Sequence, residues 1–156
     1  MGKEQVSELE KHGWYLSVPR GVSMYPMIRN GKDIVEIRKP DRELKRYDLV
    51  MYTRGPNEQG VIHRVLRDQR RKKGVFIICG DNCWRLEYIK PERIHGIVTK
   101  FCRNGKWHTV DEKPYLLYVH LWCDFYHIRA GILWTKAMAR RALGKIRRTV
   151  TGTKRK

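Results

Sequence analysis

Ser23 stands in the stretch Gly21-Val22-Ser23-Met24-Tyr25-Pro26-Met27-Ile28, a tight, proline-ended setting followed by Asn30-Gly31-Lys32-Asp33. Turn residues followed by the alternating run Asp33-Ile34-Val35-Glu36-Ile37 place the serine on a held loop just ahead of a strand. A serine hydroxyl is almost wholly protonated near neutral pH, so it becomes a nucleophile only beside a base. Histidine is the usual partner, because its unperturbed pKa lies near working pH. Of the six histidines, His63 alone lies within an apolar strand pattern, between Ile62 and Arg64. A histidine in such a strand can equally be packed or sit on the surface. Two carboxylates are candidates to orient the imidazole. Asp81 follows an apolar strand in the turn Gly80-Asp81-Asn82, where an Asx residue commonly bonds its own backbone. Glu87 lies six residues further on and, taken alone, reads as surface charge.

The elements that must hold these residues are mostly short strands. A polar helix over residues 3–13 ends at Gly13 and offers Val6 and Leu9 as its apolar positions. Extended segments follow at 14–18, 33–38, 48–52, 60–66 and 74–79. The turn cluster Arg54-Gly55-Pro56-Asn57 ends the third of them, and a charged hairpin turn over 67–73 separates the last two. A further strand spans 93–101, and Asn104-Gly105 is a two-residue hairpin signal leading into 106–110. Short strands at this spacing predict a mainly β fold. The expected domains are an N-terminal helical lead (1–13), a compact antiparallel β domain (14–110) and a basic amphipathic helical tail (111–156).

The tail has its own character. Asp111 or Glu112 can cap a helix, and Pro114 suits its first turn. Residues 115–134 are rich in Leu, Trp, Tyr, Phe and Ile, with His120, Asp124, His127 and Gly131 on one narrow polar stripe and Arg129 on the far side. The segment is too polar to span a membrane and too apolar all round for a solvated helix, which favours a helix lying in a membrane surface. The alternative is that it packs on the β domain as its missing layer. The polar stripe also has the residue types of a metal face, although it serves equally as a solvated edge.

Charge reinforces the division. The net charge is +18, and residues 129–156 hold ten of the 34 Lys and Arg and none of the 16 acids. The first 128 residues are left with a net +8. A basic tail on a moderately basic body points to an anionic partner, nucleic acid or acidic lipid. The four cysteines, at 79, 83, 102 and 123, lack zinc-ligand spacing and read as free thiols. No secretory signal and no uncharged apolar run of 18 residues is visible.

Four motifs occur together and in order: Ser-Met-Tyr-Pro at 23–26, Asp-Leu-Val-Met-Tyr at 48–52, Val-Ile-His-Arg-Val-Leu at 61–66 and Cys-Gly-Asp-Asn at 79–82. Over about residues 16–101 the chain resembles the type I signal peptidases, whose superfamily includes the self-cleaving repressor peptidases. The resemblance implies a β domain of the signal-peptidase type and a serine endopeptidase acting on a precursor or leader peptide. In that family the serine of the Ser-Met-x-Pro motif is the nucleophile, here Ser23. Housekeeping bacterial members read Lys-Arg where this chain has His63-Arg64. It therefore resembles the branch of archaea, the endoplasmic reticulum and some spore formers, in which histidine is the base.

In that branch the third member is an acid a few residues after Gly-Asp-Asn, and the matching place is Glu87. Asp81, which can instead hold the local turn, is the other candidate, and a two-residue dyad is the alternative to both. The oxyanion donor is the Ser23 backbone N–H. Gly21 stands where many bacterial members supply a side-chain hydroxyl, so that second donor is missing. Met24 and Pro26 are expected to shape the substrate groove. Neither a metal nor a cofactor is implied. The expected partners are the peptide substrate and an anionic membrane surface, with the protein peripheral at the cytoplasmic face. Two rival readings are a basic nucleic-acid-binding module, supported by the tail and by Trp14, Trp84 and Trp107, and a membrane-surface scaffold with an inactive peptidase-like domain.

Overall fold

The computed structural model describes residues 2–55 and 58–152. Pro56 and Asn57 of the expected turn cluster, and Lys154, Arg155 and Lys156 of the tail, lie outside the described residues. Helix α1 (Gly2–His12) leads into strand β1 (Trp14–Ser17), and Gly13 between them takes a positive φ of 74°. Strands β2 (Ile34–Arg38), β3 (Leu49–Tyr52), β4 (Val61–Gln69) and β5 (Val75–Cys79) follow, then β6 (Glu87–Ile89), β7 (Ile94–Arg103) and β8 (Lys106–Thr109). All eight belong to one antiparallel sheet in the order β1-β2-β7-β3-β4-β5-β6, with β8 hairpin-paired to β7. Asn104 and Gly105 turn that hairpin with φ of 53° and 78°, as the Asn-Gly pair predicts.

Side chains alternate across a strand, and β3 makes the consequence plain. Leu49 and Met51 enter one core cluster, with Met27, Ile37, Val98 and Phe101. Val50 and Tyr52 enter the other, with Val65, Phe76, Ile78 and Ile89. All four β3 residues are buried because both faces of the strand are covered. The first cluster also takes in Leu9 of α1 and three residues of helix α3 (Lys113–Cys123), namely Tyr115, Val119 and Cys123. The inner face of α3 is thus a layer of the β domain.

Four expectations needed correction. Residues 67–73 are not a simple turn: β4 runs on to Gln69, pairing Asp68 with Phe76, and only Arg70–Lys73 form a helical turn, α2. The Asp68 carboxylate accepts the Arg70 N–H at 2.9 Å, which starts that turn, and Gly74 closes it at φ 66°. Strand β6 was not anticipated; three residues give too short a pattern to read. Residues 115–134 are not one helix. α3 ends at Cys123 and helix α4 (Tyr126–Gly152) begins after Asp124 and Phe125. Asp124 accepts from the Tyr47 hydroxyl and pairs with His120 Nδ1 at 3.0 Å, so the polar stripe faces Tyr47 at this junction. Finally, no carboxylate side chain caps α3. Glu112 is the N-cap residue, and its side chain turns back to the Thr109 N–H at 2.9 Å and to His108.

Candidate active site

The loop carrying Ser23 is fixed from several sides. Gly21 has φ 105°, a conformation that favours glycine, and its N–H donates to Asn30 Oδ1 at 2.8 Å. Space does not dictate this glycine, since a Cβ built there meets nothing within 4 Å. Gly31 N–H donates to Pro19 O, closing the loop at its base. Below it, the buried Asp33 carboxylate takes the Arg29 N–H and guanidinium at 2.9, 2.9 and 2.6 Å. Arg103 joins Asp33 at 3.3 Å and donates to the carbonyls of Pro26 and Met27. Burial pushes the Asp33 carboxyl up, but the bonds from Arg29 and the charge of Arg103 outweigh it and hold its pKa low. The Tyr25–Pro26 peptide is cis.

The turn after β5 holds the other side of the loop. Asn82 N–H donates to the Ser23 carbonyl at 2.7 Å, and its side-chain amide donates to Val22 O at 3.0 Å. Gly80 is the point of closest approach. A Cβ there would lie 2.6 Å from Ser23 O, 2.9 Å from His63 Nε2 and 2.9 Å from Cys83 Sγ. Those are contacts real Cβ atoms do not make, so only glycine lets the serine loop and the imidazole meet at this place.

Strand parity sets what each neighbour of His63 sees. His63 and Arg64 are adjacent on β4 and so project to opposite faces. His63 lies on the face of Tyr52 and Val65; it is 2 % exposed. Its Nδ1 is 2.9 Å from the Tyr52 hydroxyl and 3.1 Å from Glu87 Oε1. Glu87 reaches that face because β6 puts it in step with Ile89. Arg64 lies on the opposite face, fully buried, where it binds both Asp81 carboxylate oxygens at 2.9 and 2.7 Å and the Tyr115 hydroxyl at 2.8 Å. Of the two candidate carboxylates, Glu87 is therefore the one against His63. Asp81 is engaged by Arg64 and by the Tyr118 hydroxyl at 2.9 Å.

Comparisons with protein-family models, with curated proteins and with solved structures find no match to this chain.

Glu87 is held as an anion. Burial works against its charge, but Arg54 (2.6 and 2.8 Å), His63 and Tyr52 all bond to it and bring its pKa well below the usual carboxylate range. An ionised carboxylate only accepts, so it selects the imidazole tautomer with the proton on Nδ1 and leaves the Nε2 lone pair available. That Nε2 atom is buried and has no hydrogen-bond partner. The Ser23 hydroxyl is thus not bonded to it in this structure, although the Ser23 carbonyl and Nε2 flank the same point beside Gly80. Such bonds are often open before substrate binds.

Ser23, His63 and Glu87 line one open cleft of about 920 Å³, together with Gly21 and Met24. Pro26 is not part of its wall; its carbonyl faces Arg103. Cys83 also lines the cleft, but burial raises its thiol pKa and so disfavours a thiolate nucleophile there. Among the described residues, no group of three His, Cys, Asp or Glu side chains is placed to hold a metal ion, the stripe His120, Asp124 and His127 included.

Three participants were missed in the sequence. Gly80 was visible only as a turn residue. Tyr52 could have been found by parity, since register pairs it with Val61, two residues from His63 on the same face. Arg54 lies two residues beyond that strand and carries no pattern of its own.

Proposed function

We propose that this chain is a serine endopeptidase of the signal-peptidase kind, with Ser23 as nucleophile, His63 as general base and Glu87 orienting the imidazole. The observation that carries the reading is the convergence at Gly80. An imidazole with its Nε2 unpartnered and its Nδ1 on a carboxylate sits beside a serine loop in one open cleft.

On this reading His63 Nε2 takes the Ser23 proton as Oγ bonds to the carbonyl carbon of the scissile peptide. Glu87 stabilises the resulting imidazolium. The oxyanion is met by the Ser23 backbone N–H. As the C–N bond breaks, His63 returns the proton to the leaving amine. Water, deprotonated by the same nitrogen, then hydrolyses the acyl-enzyme and regenerates Ser23. The cleft is bordered by Ser17, the last residue of β1, by Val18 after it, and by Val61 and Ile62 of β4. Strand backbone on both sides suits an extended precursor or leader peptide.

Fluorophosphonate labelling tests the assignment. The parent chain should be labelled at Ser23, Ser23→Ala should not be labelled, and His63→Ala should react at least about 100-fold more slowly. Labelling that persists in Ser23→Ala, or a parent that neither labels nor cleaves any leader peptide, overturns it. An inert parent that binds random oligonucleotides with steep salt dependence would instead support the nucleic-acid module.

A further inference from the structure

We propose that the outer face of α3 and α4 is a docking surface for an anionic lipid bilayer. Leu117, Leu121, Phe125, Ile128 and Ile132 are each 59–63 % exposed, and they follow one another at steps of four, four, three and four residues. Leu117 and Leu121 thus share one side of α3, Ile128 and Ile132 share one side of α4, and Phe125 stands at the junction between them. Leu143, at 65 %, lies further along α4. The opposite side of the same helices is already in use. Tyr115, Val119, Cys123 and Arg129 are buried, and Trp122 and Tyr126 bond to the carbonyls of Asp81 and Trp84. The exposed stripe is therefore a second apolar face, with no partner among the described residues. Runs of large apolar side chains in water of this kind mark interaction surfaces.

Charge selects the occupant. Asp124 is the last acidic residue of the chain, and ten Lys and Arg follow it with no compensating carboxylate. Lys136, Arg140 and Arg141 are exposed on α4, beyond Ile132. A second copy laid on the stripe would cover the apolar side chains but bring its own acid-free basic segment, with no carboxylate after Asp124 to meet the cations. Nucleic acid would meet the cations but leave five leucine, isoleucine and phenylalanine side chains in water. A bilayer with anionic headgroups matches both features: the stripe enters the acyl boundary while the cations meet the headgroup phosphates and carboxylates. No described helix is long and apolar enough to cross the membrane, so the helices lie on the surface.

The test is co-sedimentation of the full chain with phosphatidylcholine vesicles, with and without phosphatidylserine, at low and high salt. Binding should be at least about tenfold tighter to the phosphatidylserine vesicles and weaken as salt rises. Leu121→Glu with Ile128→Glu should lose at least tenfold in affinity, as should Lys136→Gln with Arg140→Gln and Arg141→Gln. Leu121→Ser with Ile128→Ser serves as a milder pair, and circular dichroism checks that each variant is folded. Ser23→Ala should bind as the parent does, which separates this surface from the proposed chemistry. The proposal fails if the parent does not bind phosphatidylserine vesicles, or if the folded apolar variants bind unchanged. It also fails if the parent sediments as a dimer that the glutamate pair dissociates, or if only oligonucleotides are bound.

Discussion

Asp81→Asn and Glu87→Gln each remove one negative charge, six residues apart, and they should damage the protein differently. Asp81 and Arg64 are 1 % and 0 % exposed at their side chains, and both carboxylate oxygens are on the guanidinium. Asparagine keeps one acceptor and turns an NH₂ donor toward a donor. A buried cation is then left without its counter-charge. Breaking a buried pair in this way costs about 3–5 kcal/mol, a large share of the roughly 5–15 kcal/mol that holds a domain folded. Glu87 is more exposed, at 22 %, and its partner Arg54 is half in water. Loss of that partly solvated pair should cost only about 1 kcal/mol. What glutamine does remove is the negative charge that would offset the imidazolium. It also removes the acceptor-only character that keeps the proton on His63 Nδ1, since its amide can also turn an NH₂ donor toward that nitrogen. Cleavage should fall by about 10²–10⁴-fold. Urea denaturation followed by tryptophan fluorescence gives the first quantity, and leader-peptide cleavage or fluorophosphonate labelling rate gives the second. If Asp81→Asn is as stable as the parent, or Glu87→Gln reacts at the parental rate, the division of labour between the two carboxylates is wrong.

Gly80→Ala should disable labelling of Ser23 and lower stability by about 1–3 kcal/mol, because its methyl must displace the Ser23 carbonyl or the imidazole; retention of the parental labelling rate would refute the close approach. Gly21→Ala should cost about 1–2 kcal/mol in urea denaturation although its methyl touches nothing, since the penalty lies in the backbone at φ 105°. Glu87 also predicts a pH dependence. Its folded pKa is depressed below the ordinary value of 4.5, so its contribution is complete above that pH and is lost as pH falls through the depressed value. The gap in stability between the parent and Glu87→Gln should therefore narrow between pH 6 and pH 3; an unchanged gap would show that Glu87 is not held ionised by the fold.

Much of the sheet could be read because its signals are local. The Asn104-Gly105 turn, the stop at Gly13 and the apolar runs at 48–52 and 74–79 each announce themselves within a few residues. Ser23 and His63 emerged the same way, as a serine in a proline-ended loop and a histidine in an apolar strand. The choice between Asp81 and Glu87 did not, because it depends on β6. Once Glu87–Ile89 is a strand, parity alone puts Glu87 on the face of His63, but three residues beside a proline give no period to detect. Arg129 misled for a related reason. Its charge suggested the basic tail, yet it is buried with its guanidinium near the rings of Trp122 and Tyr126, 5.8 and 5.4 Å from their centroids. Such contacts bring together side chains whose spacing in the sequence has no distinctive signature.

Asp81, which the sequence offered as a catalytic candidate, has a different importance. Its carboxylate binds Arg64 and the Tyr118 hydroxyl, while its carbonyl accepts from Trp122 Nε1 at 2.8 Å. The next residue, Asn82, holds the Ser23 carbonyl and Val22, and the preceding one, Gly80, abuts His63 Nε2. One turn of three residues therefore fastens the inner face of α3 to the serine loop and to the imidazole together. The exposed stripe begins on the outer face of that same helix, with Leu117 and Leu121 alternating with the anchors Tyr118 and Trp122. If a bilayer covers the stripe as proposed, it would fix α3, which is tied to the cleft through Asp81. The cleft would then keep a constant orientation to that surface, as the proposed endopeptidase would need for a substrate presented there. The bonds of the Gly-Asp-Asn turn thus set where Ser23 and His63 stand relative to α3.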